Sequence, residues 1–106
     1  MRIFNLGKVL KTERKEFEVS KQLVRSGTSI GANVREAINA QSTADFIHKL
    51  SIAQKEADET VYWLELLSFT KTITEKEFDS INADAVEILK IIKKIIITTK
   101  AKSRKI

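Results

Sequence analysis

Apolar residues recur every three or four positions along most of the chain and almost nowhere alternate, the spacing that gathers them on one face of an α-helix. Phe78, Ile81, Ala85, Ile88, Ile92 and Ile95 are separated by 3, 4, 3, 4 and 3 residues, with Leu89 and Ile96 widening the stripe. Thr74 followed by Glu77 reads as a capping box that starts this helix, placed at about 75–99. Phe46, Leu50, Ala53, Ala57, Val61, Leu64 and Leu67 repeat the pattern behind a Ser42 or Thr43 cap, predicting a helix over about 43–69. A third helix, about 16–39, carries Leu23, Gly27, Ile30, Val34, Ala37 and Ile38 on one side. A short one, about 2–12, offers Ile3, Leu6, Val9 and Leu10, weakened by Asn5 and Gly7.

Connections of a few residues make consecutive helices antiparallel neighbours. The expected fold is therefore all-α: one domain over residues 1–106 forming an up-down-up-down antiparallel four-helix bundle with a short first helix. The tail at 100–106, Lys100 to Ile106, loses the apolar period and is expected to fray.

The chain has no proline, no cysteine and three glycines. Without cysteine there is no disulfide, thiolate chemistry or Cys-based zinc site, which suits a reducing, cytoplasmic setting. No apolar run approaches the roughly 20 residues a bilayer span needs, so no membrane partner is expected.

Small residues dominate the middle of the third helix, from Ser26 to Ala32. Two helical glycines, Gly27 and Gly31, cost about 1 kcal/mol each relative to alanine. Close helix packing is the natural compensation, with Phe46, Tyr62, Trp63 or Phe69 of the next helix supplying a ring. A phosphate-binding loop is the competing idea, but the stretch lacks the lysine and preceding strand of that motif.

Arg25, Ser29, Asn33 and Glu36 are spaced 4, 4 and 3 apart, and Glu56, Glu59 and Trp63 are spaced 3 and 4 on the following helix. Between helices they would form a structural polar network or a subunit contact, with arginine bridging carboxylates. The sharper alternative, an acid/base or metal site, lacks the Glu-x-x-His pairs of helical di-metal proteins. The single histidine, His48, is preceded by Asp45 alone, so neither a catalytic residue nor a metal or cofactor is expected.

Charge is segregated. Residues 1–25 hold seven basic and three acidic side chains, 26–70 three and six, and 71–106 nine and five. An up-down bundle would bring Lys11, Arg14, Lys15, Lys71 and Lys76 to one end, and Arg2, Lys100, Lys102, Arg104 and Lys105 to the other. Such clusters suit phosphate backbones and are also ordinary solvated surface. No sequence-reading motif accompanies them.

The stretch from Gln22 to Ala37, QLVRSGTSIGANVREA, resembles the bacterial four-helix bundle family typified by proteins encoded in intervening sequences of 23S ribosomal RNA genes. Accessory proteins of diversity-generating retroelements are related. The likeness continues through Asp45 to Ile47, Ile52-Ala53, Glu56-Ala57 and Glu59 to Leu64. The resemblance implies a ring-forming homo-oligomer, most often a pentamer, with no enzyme activity. In one branch it implies binding to nucleic acid and a reverse transcriptase. The family's characteristic positions match Arg25, Ser29, Asn33 and Glu36, then Phe46, Ala53, Glu56, Glu59 and Trp63. Relatives usually begin with a longer first helix; the shorter start here is expected to leave apolar surface that favours oligomers.

The expected function is a non-catalytic oligomeric scaffold that binds RNA or DNA nonspecifically. The alternative is a protein-only adaptor anchored by Tyr62, Trp63, Leu66 and Phe69. A helical ribonuclease would need an arginine shortly before His48, and none stands there.

Overall fold

Each stretch of three-and-four spacing becomes a helix in the computed structural model, which describes residues 2–14 and 16–104, of Arg104 the backbone only. The elements are α1 (Arg2–Thr12), α2 (Glu18–Ile38), α3 (Thr43–Phe69) and α4 (Glu75–Arg104), and no strand occurs among the described residues. Paired contacts run in opposite directions along neighbours: Arg25 meets Glu56 while Glu36 meets Lys49 across α2 and α3, and Ile3 meets Gly27 while Gly7 meets Ser20 across α1 and α2. The result is an antiparallel four-helix bundle measuring 53 × 21 × 17 Å.

Local signals set the helix ends. The Ser42 hydroxyl accepts from the Asp45 amide at 3.0 Å and starts α3. Thr74 and Glu77 form the expected reciprocal box, with the Thr74 amide donating to Glu77 Oε1 at 2.8 Å and the Glu77 amide to Thr74 Oγ1 at 3.1 Å. α3 closes on Lys71, whose φ of 60° is left-handed. There the Thr72 amide reaches the Leu67 carbonyl at 2.9 Å and the Lys71 amide the Ser68 carbonyl at 3.0 Å, a pairing that usually has glycine at the left-handed position.

Two boundaries differ from the sequence expectation. α2 begins at Glu18 because Glu16 stays outside and caps it, its carboxylate accepting from the Val19 amide at 3.0 Å. α4 does not end at residue 99 but continues through Arg104, since Lys, Ala and Arg are strong helix formers even without an apolar stripe.

The core has two tiers. The first joins all four helices through Leu6 and Leu10 of α1, Leu23, Leu64, Leu67 and Ala85, closed by Ile73 from the last loop. The second contains only α2, α3 and α4, through Ile30, Ala37, Leu50, Ala53, Ala57, Ile92 and Ile96. At about 1.5 Å per residue α1 spans some 16 Å against some 45 Å for α4. Among the described residues, no side chain of α1 fills the groove between α2 and α4 past Arg2, where a cleft opens beside Gly31 and Ile88.

Gly27 sits at a close helix contact, though with another partner than expected, and Gly31 does not. An added Cβ at Gly27 would lie 2.7 Å from Ile3 Cγ2, so the close partner is an aliphatic side chain of α1 and not an aromatic ring of α3. Gly31 faces the unfilled groove, where an added Cβ meets nothing within 4 Å; there is no close packing there. Gly7 is the second tight point, since a Cβ would collide with Val24 Cγ2. What brings α2 and α3 together is small polar and alanine side chains: the buried Ser26 and Thr60 hydroxyls lie 3.0 Å apart, beside Ala53 and Ala57.

Candidate nucleic-acid interface

The polar residues of α2 and α3 separate into three local groups along one seam. Arg25 donates to Gln22 Oε1 at 3.1 Å, to Glu56 Oε2 at 3.2 Å and to Glu59, and the Trp63 indole donates to Glu59 Oε1 at 3.1 Å. The Arg25 hydrogen bond, supported by Trp63, holds the Glu59 carboxyl below the usual carboxylate range, and Glu59 in turn raises Arg25. Ser29 and Asn33 stand apart and bond each other, Asn33 Nδ2 donating to Ser29 Oγ at 3.2 Å and to its carbonyl at 2.9 Å. Glu36 pairs instead with Lys49 at 3.5 Å, a partner the spacing did not indicate. Arg25 thus ties α2 to two carboxylates of α3 through charge-assisted hydrogen bonds. Among the described residues no group of three or more His, Cys, Asp or Glu side chains is arranged to hold a metal ion.

The basic residues divide by end. Lys11, Lys71 and Lys76 are exposed at the end holding the α1–α2 and α3–α4 connections, and Lys100 and Lys102 at the far tip of α4. Lys15, Lys105 and the Arg104 side chain lie outside the described residues. Arg14 is not a spare cation. It forks onto Glu77 at 3.0 and 2.8 Å and donates to the Thr72 carbonyl at 2.9 Å, tying the first turn to the last. These bonds hold the Glu77 carboxyl down at about 2. Arg2 does not join the far tip either. It sits within the first third of α4, paired with Asp84 and donating to the Ser80 carbonyl at 3.3 Å.

A further basic surface lies on the outer side of α1 and the start of α2. Phe4, Lys8 and Lys11 occur at i, i+4 and i+7 on α1, opposite Phe17, Glu18 and Lys21, around an open cleft of about 620 Å³. Lys8 Nζ stands 5.2 Å from the centre of the Phe4 ring. Of these only Lys11 was singled out from the sequence, although the α1 spacing was visible there.

Two apolar surfaces remain uncovered. One is a cleft of about 340 Å³ beside Arg2 and Ile3, with Gly31 on α2 and Ile88 on α4, a face that helical spacing continues to the exposed Ile91 and Ile95. The other is a ridge on α3 formed by Tyr62, Leu66 and Phe69, with Phe69 86% exposed.

No helix is long and apolar enough to cross a membrane among the described residues. No curated protein matches the chain. A crystal structure described as a protein of unknown function from the S23 ribosomal protein family of Bacteroides thetaiotaomicron is 62% identical. The match covers 90% of this chain and 88% of that one, with a TM-score of 0.89. The sequence also matches the family described as 23S rRNA-intervening sequence protein over residues 1–94, and the chain belongs to that family.

Proposed function

We propose that the protein is a non-catalytic scaffold that assembles with copies of itself, five in the ring that the resemblance implies, and binds RNA or DNA without base-specific readout through its basic surfaces. The observation that carries this reading is the pair of uncovered apolar faces on different sides of one molecule. A groove and a ridge that are not the same patch suit a head-to-tail contact, and head-to-tail contacts that close make rings.

Charge supports the same pairing. Arg35 follows Gly31 by one turn and Lys102 follows Ile95 by two, putting cations along the groove, while Asp58 and Glu65 flank the ridge. None of these four forms an ion pair within the described chain. The net charge of +5, repeated in each copy, makes a polyvalent surface for phosphate.

Light scattering at micromolar concentration tests the assembly. Phe69→Glu (ridge) and Ile95→Glu (groove) should each give a smaller, still helical species. Mixed, they should pair one to one, since one intact contact survives. A wild-type monomer overturns the assembly, and assemblies indifferent to both changes place the contact elsewhere. Anisotropy with structured RNA should show binding that weakens steeply with salt. Failure to bind at low salt overturns the nucleic-acid half and favours the protein-only adaptor, for example a reverse transcriptase accessory subunit, with the Phe69 ridge as its anchor.

A further inference from the structure

We infer that the cleft between α1 and the start of α2 binds a single strand of nucleic acid, with Phe17 stacking on an unpaired base and Lys8, Lys11 and Lys21 facing backbone phosphates. The inference rests on the nucleic-acid reading above and gives it a location and a strand type.

Phe17 has no structural reason to be aromatic. It occupies the N-cap of α2, where Ser, Thr, Asp or Asn would bond the first free amides. It makes no such side-chain bond, and Glu16 does the capping instead. Its ring is 55% exposed on the cleft wall, and Phe4 across from it is 44% exposed. Burial therefore explains neither ring.

The charge around the rings is one-sided. Lys8, Lys11 and Lys21 line the cleft against Glu18 alone, and none of the three lysines forms an ion pair among the described residues. Lys8 lies over the Phe4 ring, which leaves Phe17 as the ring with an uncommitted face. Exposed π-faces bordered by cations match a ligand that offers both flat unstacked rings and regularly spaced anions. A single strand offers both, whereas a duplex hides its base faces in the stack and an acidic peptide has no need of a stacking platform.

The test is fluorescence anisotropy with a labelled single-stranded RNA and with the same sequence annealed to its complement, using the full chain at several salt concentrations. Phe17→Ala should weaken single-strand binding by about fivefold or more. Phe17→Tyr should restore it, and duplex binding should change little in either. Replacing Lys8 and Lys21 with glutamine should lower the logarithmic salt slope for the single strand by about 0.7 per lysine. Circular dichroism confirms that each variant keeps its helices. A wild-type protein that prefers duplex, or a Phe17→Ala variant that binds the single strand as well as wild type, overturns the cleft while the broader reading stands. No binding of either probe at low salt overturns both.

Discussion

The three glycines form an internal experiment at the scale of single residues. Gly7 and Gly27 each leave room for a branched side chain across the α1–α2 contact, so a methyl group there forces the helices apart. Gly7→Ala and Gly27→Ala should each destabilise by about 1–3 kcal/mol, as overpacking does. Gly31→Ala meets nothing and should instead stabilise by about 0.5–1 kcal/mol through helix propensity. Thermal melts of the three variants check the contrast, and equal effects at Gly27 and Gly31 would contradict the described packing. Lys71 offers a test in the other direction: Lys71→Gly relieves a left-handed non-glycine residue and should raise the melting temperature by a few degrees. Residue-scale chemistry was legible where partners are close in sequence. Thr74 and Glu77 are three apart, and their spacing alone announces the cap. The contacts of Gly27 with Ile3 and of Arg14 with Glu77 depend on residues tens of positions away, which periodicity does not encode.

Among the elements, α1 is held in two different ways. Against α2 it is interlocked by Ile3 at Gly27 and Val24 at Gly7, with the buried Ser20 hydroxyl donating to the Gly7 carbonyl at 2.9 Å. Against α4 the polar ties are Arg2 to Asp84 and, from the turn after α1, Arg14 to Glu77. The Glu77 carboxyl lies at about 2 in the fold against an ordinary 4.5, so the unfolded chain takes up its proton first as pH falls. Its contribution is present above about pH 4.5 and is lost as pH drops toward 2. Because the pair is partly open to solvent, the loss should be on the order of 1 kcal/mol. Urea melts across that range should show the slope in the wild type and a flatter one in Glu77→Gln. The existence and type of all four helices were legible, because 3-and-4 spacing persists for many turns in each. Their ends were less so: the aromatic Phe17 extends the apolar pattern past the true start of α2, and the tail of α4 is sustained by propensity after its pattern has stopped.

For the whole molecule, the two-tier core runs along α2, α3 and α4, while α1 contributes to one tier only. The network of Arg25, Glu56, Glu59 and Trp63 and the alanine seam keep α2 against α3 along their length. Hydrogen exchange should accordingly be slowest in α2 and α3 and fastest in α4 beyond Ile96, after which no described side chain is buried. Uniform protection along α4 would contradict this. The candidate surfaces were only partly legible. Basic clusters can be counted from composition, but whether a cation is free or tied, as Arg14 is, and whether an aromatic is packed or bare, as Phe17 and Phe69 are, follow from how α1 sits on three longer helices.

The overhang of α4 has a practical consequence. From Ile97 to Ser103 the helix runs about 10 Å as a rod with no buried side chain. A dye or a fused tag attached there would leave the packed body untouched, and energy transfer between tagged chains would report whether, and how widely, the rods splay in the proposed assembly.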